Sequence, residues 1–530
     1  MTDGEVTVTA EPAEPTAAAA SPVPETVRRR LLPRVGRDPR SWLATGLVVL
    51  IAAVLRVIGL AHPRGKIFDE TYYATEGQEL FDHGVEWKPE NNAGDFVVHP
   101  PLGKWIIGAG EWLFGRNAHG GWLTNGEFGW RISAAVFGAL SVLLLIRIAR
   151  RLFGSTVLGC AAGLLLALDG MHFVLSRSAL LDIFLMTFIL AAFGCLLLDR
   201  DQRRGRWLAA MEAGLDPTAP GRAGRPRLGV PWWRLMAAVM IGCAAAVKWS
   251  AIWHLLAFIV IIIAWEISVR RSVGVRRPWR DALLDELGWV AAFIGIAFVV
   301  YLVSWTGWFV TDSGWHRHYL ARELHGHEYP VIGALYNLWE YHVQAFAFHT
   351  GLHDKHRYQS WPWQWLLLGR PVAFYYNGEG SCGASSCSAE VLLLGTPLLW
   401  WSFLPALAGL TWFGLRGRDW RAAVIGLTVA AGILPWFWYE LKARTMFYFY
   451  ALPALPFLIL AVVYVLGSIM GPAPARGSPV SDRRLFGAIF AAVYVALVAL
   501  CFAYFYPIYV GKVITYAQWT ARMWLGGRWI

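Results

Sequence analysis

The sequence has little charge: Asp, Glu, Lys and Arg make up 16% of its 530 residues, whereas a soluble domain carries about 25%. Hydrophobic residues make up 56%, and the mean hydropathy is +0.43. This composition excludes an ordinary soluble protein and predicts a chain with many membrane spans. The 30 tryptophans agree with that prediction, because Trp concentrates where a span meets the membrane–water interface.

Cysteine is also scarce, with six residues. Four of them lie in apolar runs and are interpreted as small buried hydrophobic side chains: Cys160, Cys195, Cys243 and Cys501. Cys382 and Cys387 stand in the Gly/Ser-rich segment GSCGASSC, and we expect a disulfide between them if this segment lies outside the cytoplasm. A zinc site at this pair would need two further ligands nearby, and the sequence shows no clear candidates for them.

The sequence shows no pattern typical of a cleavable signal peptide, of an internal repeat or of a sizeable soluble domain. The first apolar run starts late and is long, so we expect this span itself to target the chain. The missing repeat removes support for a transporter built from inverted halves. Residues 1–42 are rich in Ala, Pro, Thr and Glu and then basic, and they predict a disordered cytoplasmic tail.

Eleven apolar runs predict the membrane spans. They lie near residues 43–60, 131–150, 154–170, 179–198, 234–247, 251–268, 286–306, 391–413, 421–438, 447–468 and 485–506. With the N-terminus in the cytoplasm, the loops on that side hold 27 Lys and Arg residues, and the opposite side holds 17 spread over far more residues. This satisfies the positive-inside rule and places the C-terminus outside. The net charge of +11 therefore reflects membrane topology and not a nucleic-acid-binding face.

Two segments, 61–130 and 307–390, are too long to be simple connectors. We expect both to lie outside the cytoplasm, with interfacial helices that build a site at the membrane surface. The predicted protein is an all-α polytopic membrane protein. Beyond the tail, it divides into an N-terminal module, 43–306, the second outer loop, and a C-terminal module, 391–530.

The first outer loop begins with GKIFDETYYATEGQEL. Asp69 and Glu70 follow the first span closely, and a carboxylate at a membrane surface can act as a general base towards an attacking hydroxyl. Asp69 is also a reasonable N-cap for a helix over 70–82. The pattern alone leaves the catalytic and the capping role open.

The next segment, DFVVHPPLGKWIIGAG, places His99 before two prolines. The prolines fix an extended turn and open an amphipathic helix over 102–114. Lys104 on its first turn can meet a lipid phosphate or can extend towards the interface as an ordinary snorkelling lysine.

Other ionisable residues cluster at span ends on the same predicted side: Arg131, Arg177, Asp182, Lys248, Glu440, Lys442 and Arg444. Each can simply mark the end of a span. Their convergence on the side of Asp69 is informative, because a phosphodiester needs Arg or Lys partners.

The later part of the second outer loop, residues 349–365, contains three histidines and three tryptophans: His349, His353, His356, Trp361, Trp363 and Trp365. The histidines lack a recognisable metal-ligand spacing, so we expect no metal site there, and a role for a divalent cation stays open. The tryptophans suit stacking on a sugar or a peptide, and they equally suit interfacial anchoring.

Taken in order, these blocks resemble the protein O-mannosyltransferase family. The resemblance is carried by FDE after the first span, HPPLGK, WRIS at the second span, SR…LLD, VKWSA and HRYQSWPWQWLLLGRP. The chain has no large soluble insertion between spans seven and eight, unlike the fungal and animal enzymes, and so it resembles a bacterial, actinobacterial-type member.

The resemblance implies a GT-C glycosyltransferase fold in the cell membrane, with the active site outside the cytoplasm. It implies a polyprenyl-phosphate-mannose donor, Ser/Thr hydroxyls of exported proteins as acceptors, and an inverting displacement. Asp69 would be the base with support from Glu70. Arg131, Lys104, Arg177 and Lys248 would hold the donor phosphate, and His99, Asp182, Trp361 and Trp363 would contact substrate. Membrane lipids and the secretion translocon are the further expected partners.

Two other functions stay open from the residues alone. Another GT-C transferase, acting on a glycan or a lipid, would also use an outer acidic pair. A flippase for polyprenyl-linked sugars would explain the spans and basic residues, but it would not explain two large outer loops with carboxylates.

Overall fold

The computed structural model describes residues 23–32, 36, 38–117, 120–221, 223–472 and 479–530. Most of the tail predicted over 1–42 lies outside these residues. The part that is described includes a helix, Glu25–Leu31, where disorder was expected. This helix forms because Leu31 is buried against Trp207 and Leu208.

Helices dominate the described residues. In chain order they are α1 (Glu25–Leu31), α2 (Arg40–Val57), α3 (Glu70–His83), α4 (Leu102–Phe114), α5 (Glu127–Phe153), α6 (Thr156–Ala167), α7 (Gly170–Leu175), α8 (Asp182–Glu212), α9 (Trp232–Ala245), α10 (Ala251–Ser272), α11 (Pro278–Ser304), α12 (Thr306–Val310), α13 (Tyr319–Arg322), α14 (Ile332–Gly351), α15 (Pro362–Trp365), α16 (Pro397–Trp401), α17 (Phe403–Gly417), α18 (Trp420–Leu441), α19 (Leu455–Met470), α20 (Asp482–Tyr509) and α21 (Tyr516–Thr520). Short 3-10 helices span Pro89–Asn91, Tyr448–Ala454 and Gly526–Arg528.

Nine helical segments of the described chain are long and apolar enough to cross a membrane. They are α2, α5, α8, α10, α11, α16 with α17, α18, the 3-10 turn with α19, and α20. The shorter apolar helices α6 and α9 coincide with the third and fifth predicted spans. The structure therefore has a helix at each predicted run, and the count of eleven crossings stays a prediction.

The centre of the bundle is formed by α19 and α8. In the most apolar 18-residue stretch of each helix, 89% of the residues of α19, with the 3-10 turn before it, and 72% of those of α8 are buried. In the corresponding stretches of α11 and α20, only 11% and 17% of the residues are buried, and the exposed side chains of these two helices include many Leu, Val and Phe residues. Such faces suit contact with lipid chains. The largest hydrophobic cluster thus surrounds α8 and α19, and the lipid-facing helices lie outside it.

Two small antiparallel sheets were not predicted. Strands β1 (Trp87–Lys88) and β2 (Ala93–Gly94) form one hairpin. Strands β3 (Val372–Asn377), β4 (Cys387–Leu393) and β5 (Ile514–Thr515) form a second sheet in that order. The run predicted to begin a span at residue 391 therefore begins inside β4. A short buried strand and a buried helical turn share the same apolar pattern, so periodicity alone does not separate them.

Candidate active site

Asp69 occupies the position before α3, and its backbone is set by Phe68. Phe68 has a φ of 48°, a left-handed conformation that costs a non-glycine residue about 1–3 kcal/mol. Its ring stacks on Phe374 of β3 at a centroid distance of 4.5 Å and an interplanar angle of 7°. Packing against the second outer loop therefore fixes Phe68, and with it the position of Asp69.

The side chain of Asp69 does not cap α3. The helix begins at Glu70, as the sequence predicts, but its N-cap position is filled by the Asp69 backbone alone. The capping role left open by the sequence is therefore not the one that the Asp69 carboxylate performs, and that carboxylate remains available for chemistry.

Glu70 is completely buried and forms a bidentate ion pair with Arg131 of α5. The Nε and Nη2 atoms of Arg131 donate to its two carboxylate oxygens, each at 2.8 Å. The backbone N–H groups of Ile67 and Ala179 also donate to Glu70, each at 3.0 Å. Glu70 thus ties the Asp69 loop to α5 and to the turn before α8.

Arg131 has no free hydrogen-bond donor beyond its contacts to Glu70 and to three carbonyl oxygens. Its remaining contacts are to the carbonyl oxygens of Leu60, Pro63 and Gly65, at 3.2, 2.8 and 3.0 Å. A planar guanidinium with this many fixed acceptors orients the loop between α2 and α3. Its geometry is that of a loop anchor.

Two further charges face Asp69. Lys248, in the turn between α9 and α10, donates from Nζ to Oδ2 of Asp182 at 2.7 Å. Burial raises the pKa of Asp69 to about 6, the nearby Lys248 cation lowers it, and Asp182 raises it. The three side chains therefore form one electrostatic cluster, in which Asp69 is ionised at neutral pH and still basic enough to accept a proton.

A cavity of about 520 Å³ opens beside this cluster. Its polar lining includes His99, Asp182, Lys248, His349 and Arg444. The rest is mainly apolar and comes from the helices α9, α10 and α11, including Ile241, Ala245, Ile252, Leu255, Ile294 and Phe298. A charged end joined to an apolar wall suits an amphiphile with an anionic head.

The two histidines at the polar end are neutral near pH 7. Burial lowers the pKa of His349 to about 4, and burial together with Lys248 holds the pKa of His99 well below its usual range. His349 is also bonded to the carbonyl of Val98, with its Nε2 at 3.0 Å, and its ring lies 5.2 Å from that of His99. Both rings therefore line the cavity without adding charge to it.

The three loop histidines do not converge on one point. While His349 bonds to Val98, His353 bonds to the carbonyl of Ala443 and His356 packs its ring on Phe447. Their contacts differ because α14 ends between the first histidine and the other two.

Two of the basic residues expected at the donor phosphate have other partners. Lys104 is fully buried and pairs with Glu86 and with Glu76, the latter at 3.4 Å. Arg177 donates to the carbonyls at the end of α2, among them Arg56 at 2.6 Å and Gly59 at 2.8 Å. Of the four basic residues expected there, Lys248 lines the cavity. The donors of Lys104, Arg177 and Arg131 are directed to the protein groups described above.

The tryptophans of the second outer loop divide by exposure. Trp365 is buried and bonds to Ser360, and Trp361 precedes α15 at its N-cap position. Trp363 is 53% exposed, and its Nε1 lies 3.2 Å from Oε1 of Glu440. Trp363 is thus the one of these three that is open to contact from outside.

Sequence reasoning did not select Arg444 for the site, although it placed this residue at the correct end. Its Nε donates to the carbonyl of His349 at 2.8 Å, and it lines the cavity with Tyr439 and Tyr450. The signal available was the short basic turn followed by the aromatic run FYFY, which puts a cation beside rings. Lys248 lies 5.8 Å from the Tyr450 ring centre, so both cations share this aromatic wall.

The expected disulfide is present. Cys382 and Cys387 are bonded, with their Cα atoms 5.9 Å apart, and Cys387 begins β4. The bond closes the loop that joins β3 to β4, and β3 carries the Phe374 ring under Phe68.

Comparison with known families and structures adds a second line of evidence. Residues 46–313 match the model of the dolichyl-phosphate-mannose-protein mannosyltransferases. Residues 334–529 match the model of the C-terminal four-transmembrane region of protein O-mannosyltransferase.

Curated relatives match over nearly the whole chain. The polyprenol-phosphate-mannose–protein mannosyltransferase of Mycolicibacterium smegmatis (strain MKD8) is 39% identical over 92% of each chain. The protein of that name from Mycobacterium tuberculosis (strain CDC 1551 / Oshkosh) is 38% identical over 97% of this chain and 96% of its own. Among solved structures, the S. cerevisiae protein O-mannosyltransferase Pmt1–Pmt2 complex bound to the sugar donor shares the fold. The TM-score is 0.67 at 16% identity, over 94% of this chain and 93% of that one.

Proposed function

We infer the activity from one premise: this chain belongs to the protein O-mannosyltransferase family, and its fold is that of the GT-C glycosyltransferases. It is a multi-span membrane mannosyltransferase. Its relatives are named for a polyprenol-phosphate-mannose donor and a protein acceptor. We assign the same donor and acceptor classes to this chain, with Ser/Thr hydroxyls of exported proteins as the attacking groups.

The observation that carries the proposal is the cavity that joins the Asp69–Asp182–Lys248 cluster to an apolar wall. The donor has the same two parts, a charged sugar phosphate and a long apolar prenyl chain. In the proposed complex the phosphate lies between Lys248 and Arg444, and the chain lies along α9, α10 and α11. Burying apolar surface contributes about 25 cal/mol per Å², so the prenyl chain supplies affinity and the two cations supply orientation.

Asp69 is the proposed general base. The acceptor oxygen bonds to the anomeric carbon as the bond from that carbon to the phosphate oxygen breaks. The hydroxyl proton passes to the Asp69 carboxylate, and polyprenyl phosphate leaves. A single displacement inverts the anomeric centre, so a beta-linked donor gives an alpha-linked product. Lys248 and Arg444 face the negative charge that grows on the leaving phosphate, and Asp182 holds Lys248 in place.

The other expected site residues receive supporting roles in this proposal. Glu70 and Arg131 hold the loop that carries Asp69, and Arg177 holds the end of α2 beneath it. Lys104 balances the carboxylates of Glu76 and Glu86. His99 borders the sugar end of the cavity as a neutral ring, and Trp363 offers an exposed surface to the acceptor.

The site is proposed to face outward from the cell membrane. The arginine-rich loops lie at the end of the bundle opposite to Asp69, which supports a cytoplasmic position for that end. Exported proteins emerge at the outer face in extended form, so contact with the secretion translocon would deliver acceptors before they fold.

A transfer assay tests the proposal. The purified protein in nanodiscs is given polyprenyl-phosphate-mannose with a labelled sugar, and either a Ser/Thr-rich peptide or a soluble mannan is the acceptor. We expect label on the peptide and a matching release of polyprenyl phosphate. Label on the mannan alone would assign the chain to glycan synthesis. Movement of intact donor across the bilayer without hydrolysis or transfer would identify a flippase.

A further inference from the structure

A second cavity, of about 810 Å³, lies at the other end of the bundle. It is enclosed by the later part of α8, the end of α10, the start of α11 and the segment 217–230, of which the structure describes residues 217–221 and 223–230. The helix α10 begins just after Lys248 and has 22 residues, a length of roughly 33 Å. This cavity is therefore on the far side of the membrane-spanning bundle from Asp69 and is separate from the candidate active site.

Its floor is a neutralised network of buried charges. Arg203 pairs with both Glu266 and Glu286. Arg270 pairs with Glu266 at 2.6 Å and with Asp285 at 3.0 Å. These residues join α8, α10 and α11 into a rigid base, because each buried charge has a partner.

The wall contributed by segment 217–230 is held in the same way. Arg225 donates to Asp281 and to Asp285, each at 2.8 Å. The acidic residues of the lining, Asp281, Asp285 and Glu286, are thus all used by the arginines of the floor and wall.

Three more arginines stand at the rim, namely Arg276, Arg277 and Arg280. All three are exposed, and within the described ranges none of them forms an ion pair. Arg276 faces the exposed Asp216 at longer range. Two other arginines at this end have acidic partners: Arg151 pairs with Asp201 and Arg421 with Asp419. The positive charge of the cavity therefore exceeds its negative charge at the rim alone.

The rim lies at the level of the membrane interface. Trp279, between the arginines, is 56% exposed, and the α11 positions Leu283, Leu284 and Leu287 that follow are 53%, 57% and 68% exposed. Trp232, at the start of the neighbouring α9, is 67% exposed. Exposed tryptophans followed by exposed leucines mark the passage from headgroups to acyl chains.

We propose that this cavity binds the headgroup of an anionic phospholipid. The phosphate accepts hydrogen bonds from the guanidinium groups of Arg276, Arg277 and Arg280, and the acyl chains lie along the exposed leucines of α11. Basic cavities beside spanning helices recognise anionic headgroups by this combination of charge and apolar surface. A bound lipid would bridge α11 to segment 217–230 and so brace the helices that carry the prenyl wall at the other end.

Native mass spectrometry of the full-length protein tests this binding. The protein is titrated with phosphatidylglycerol and with phosphatidylcholine of identical acyl chains. We expect preferential retention of phosphatidylglycerol. The R276Q/R277Q/R280Q variant should bind it at least about tenfold more weakly, because each basic residue near an anionic lipid surface contributes roughly a factor of five. Binding of phosphatidylcholine should not change.

A charge-matched control decides whether the cavity itself is responsible. R416Q/R418Q/R483Q removes three arginines from the same end of the bundle and should retain phosphatidylglycerol like the parent. An equal loss in this control, or unaltered binding by R276Q/R277Q/R280Q, would overturn the proposal.

Two further arms identify the ligand and protect against misfolding. Glycerophosphate at the lipid concentration should not compete, because it lacks acyl chains, and competition at that concentration would overturn the lipid assignment in favour of a soluble phosphate. R276K/R277K/R280K keeps the charges and should keep most of the binding. Loss of binding in the lysine variant, with an unchanged elution volume on gel filtration, would exclude a charge-based headgroup site.

Discussion

The Nζ atom of Lys248 lies 2.7 Å from Oδ2 of Asp182, and this pair joins the turn after α9 to the first residue of α8. Both charges act on the carboxylate of Asp69, which belongs to a different loop. The pairing leaves Lys248 oriented towards the cavity, because one donor is fixed by Asp182 and the ammonium has two more. The proposed base and the proposed phosphate-binding cation are thereby held beside each other by three separate parts of the chain.

Asp69→Asn should lower the rate of mannose transfer by about 10²- to 10⁴-fold, since the amide cannot accept the hydroxyl proton. The nearly equal size of the two side chains leaves the Phe68–Phe374 stack unchanged. Initial rates with saturating donor and peptide measure the effect, and gel filtration checks the fold.

Asp82→Asn is the matched control for that substitution. Asp82 lies on the same helix, α3, but bonds to Arg116 and Trp122 at the surface. The Asp82→Asn variant should transfer mannose at close to the parental rate. A comparable loss in both variants, or substantial activity in Asp69→Asn, would remove Asp69 from the role of base.

The pH profile should show one acidic limb. Burial raises the pKa of Asp69 to about 6, and the base works only when ionised. The transfer rate at saturating substrates should therefore be constant above about pH 7 and fall about tenfold per unit well below pH 6. The midpoint is read from initial rates in buffers of constant ionic strength.

Lys248→Gln provides the check on this assignment. The Lys248 cation lowers the pKa of Asp69, so its removal should move the limb to higher pH while also weakening donor binding. A limb that keeps its midpoint in this variant would mean that another group controls the profile.

Removal of one partner of the Glu70–Arg131 pair should destabilise the protein. Both side chains are fully buried, and breaking such a pair leaves an uncompensated charge at a cost of about 3–5 kcal/mol. Glu70→Gln should therefore lower the midpoint of thermal unfolding in detergent and reduce activity through disorder of the Asp69 loop.

The double variant Glu70→Gln/Arg131→Met separates charge from anchoring. It leaves no buried charge unpaired, so part of the thermal stability should return. Activity should stay low, because the three loop carbonyls lose the donors of Arg131 and the amide in Glu70→Gln keeps only one acceptor oxygen for the N–H groups of Ile67 and Ala179. Full activity in the single variant would show that the pair does not position Asp69.

Local features of the site were predictable from the sequence. The Pro100–Pro101 pair followed by an apolar stripe predicted a helix over 102–114, and α4 has those bounds. The helix after Asp69 was predicted over 70–82 and ends one residue later. Both predictions depend on near neighbours in sequence, such as the fixed φ of proline and the left-handed Gly84 that ends α3.

The partners of the basic residues were not predictable in this way. Lys104 pairs with Glu86, which directly precedes the β1–β2 hairpin. Arg177 bonds to the end of α2, because α7, which precedes Arg177, contacts α2. Those contacts depend on tertiary structure, and a single sequence shows only that the residue is basic. The β3–β4 hairpin was hidden for a related reason: its second strand is buried throughout and runs directly into an apolar helix.

Arg444→Gln should weaken use of the donor more than it slows the chemical step. A hydrogen bond to a charged group contributes about 1.5–3 kcal/mol, so the KM for polyprenyl-phosphate-mannose should rise roughly tenfold to a hundredfold.

Lys442→Gln is the matched control, because Lys442 is in the same turn but contacts the Trp438 ring and does not line the cavity. Its KM should remain parental. The peptide KM should be unaffected in both variants, since in the proposed complex Lys248 and Arg444 face the donor phosphate and not the acceptor. A parental donor KM in Arg444→Gln, or an equal rise in Lys442→Gln, would place the donor phosphate elsewhere. The prenyl wall would then need a different polar end, because Lys248 would be its only remaining cation among the described lining residues.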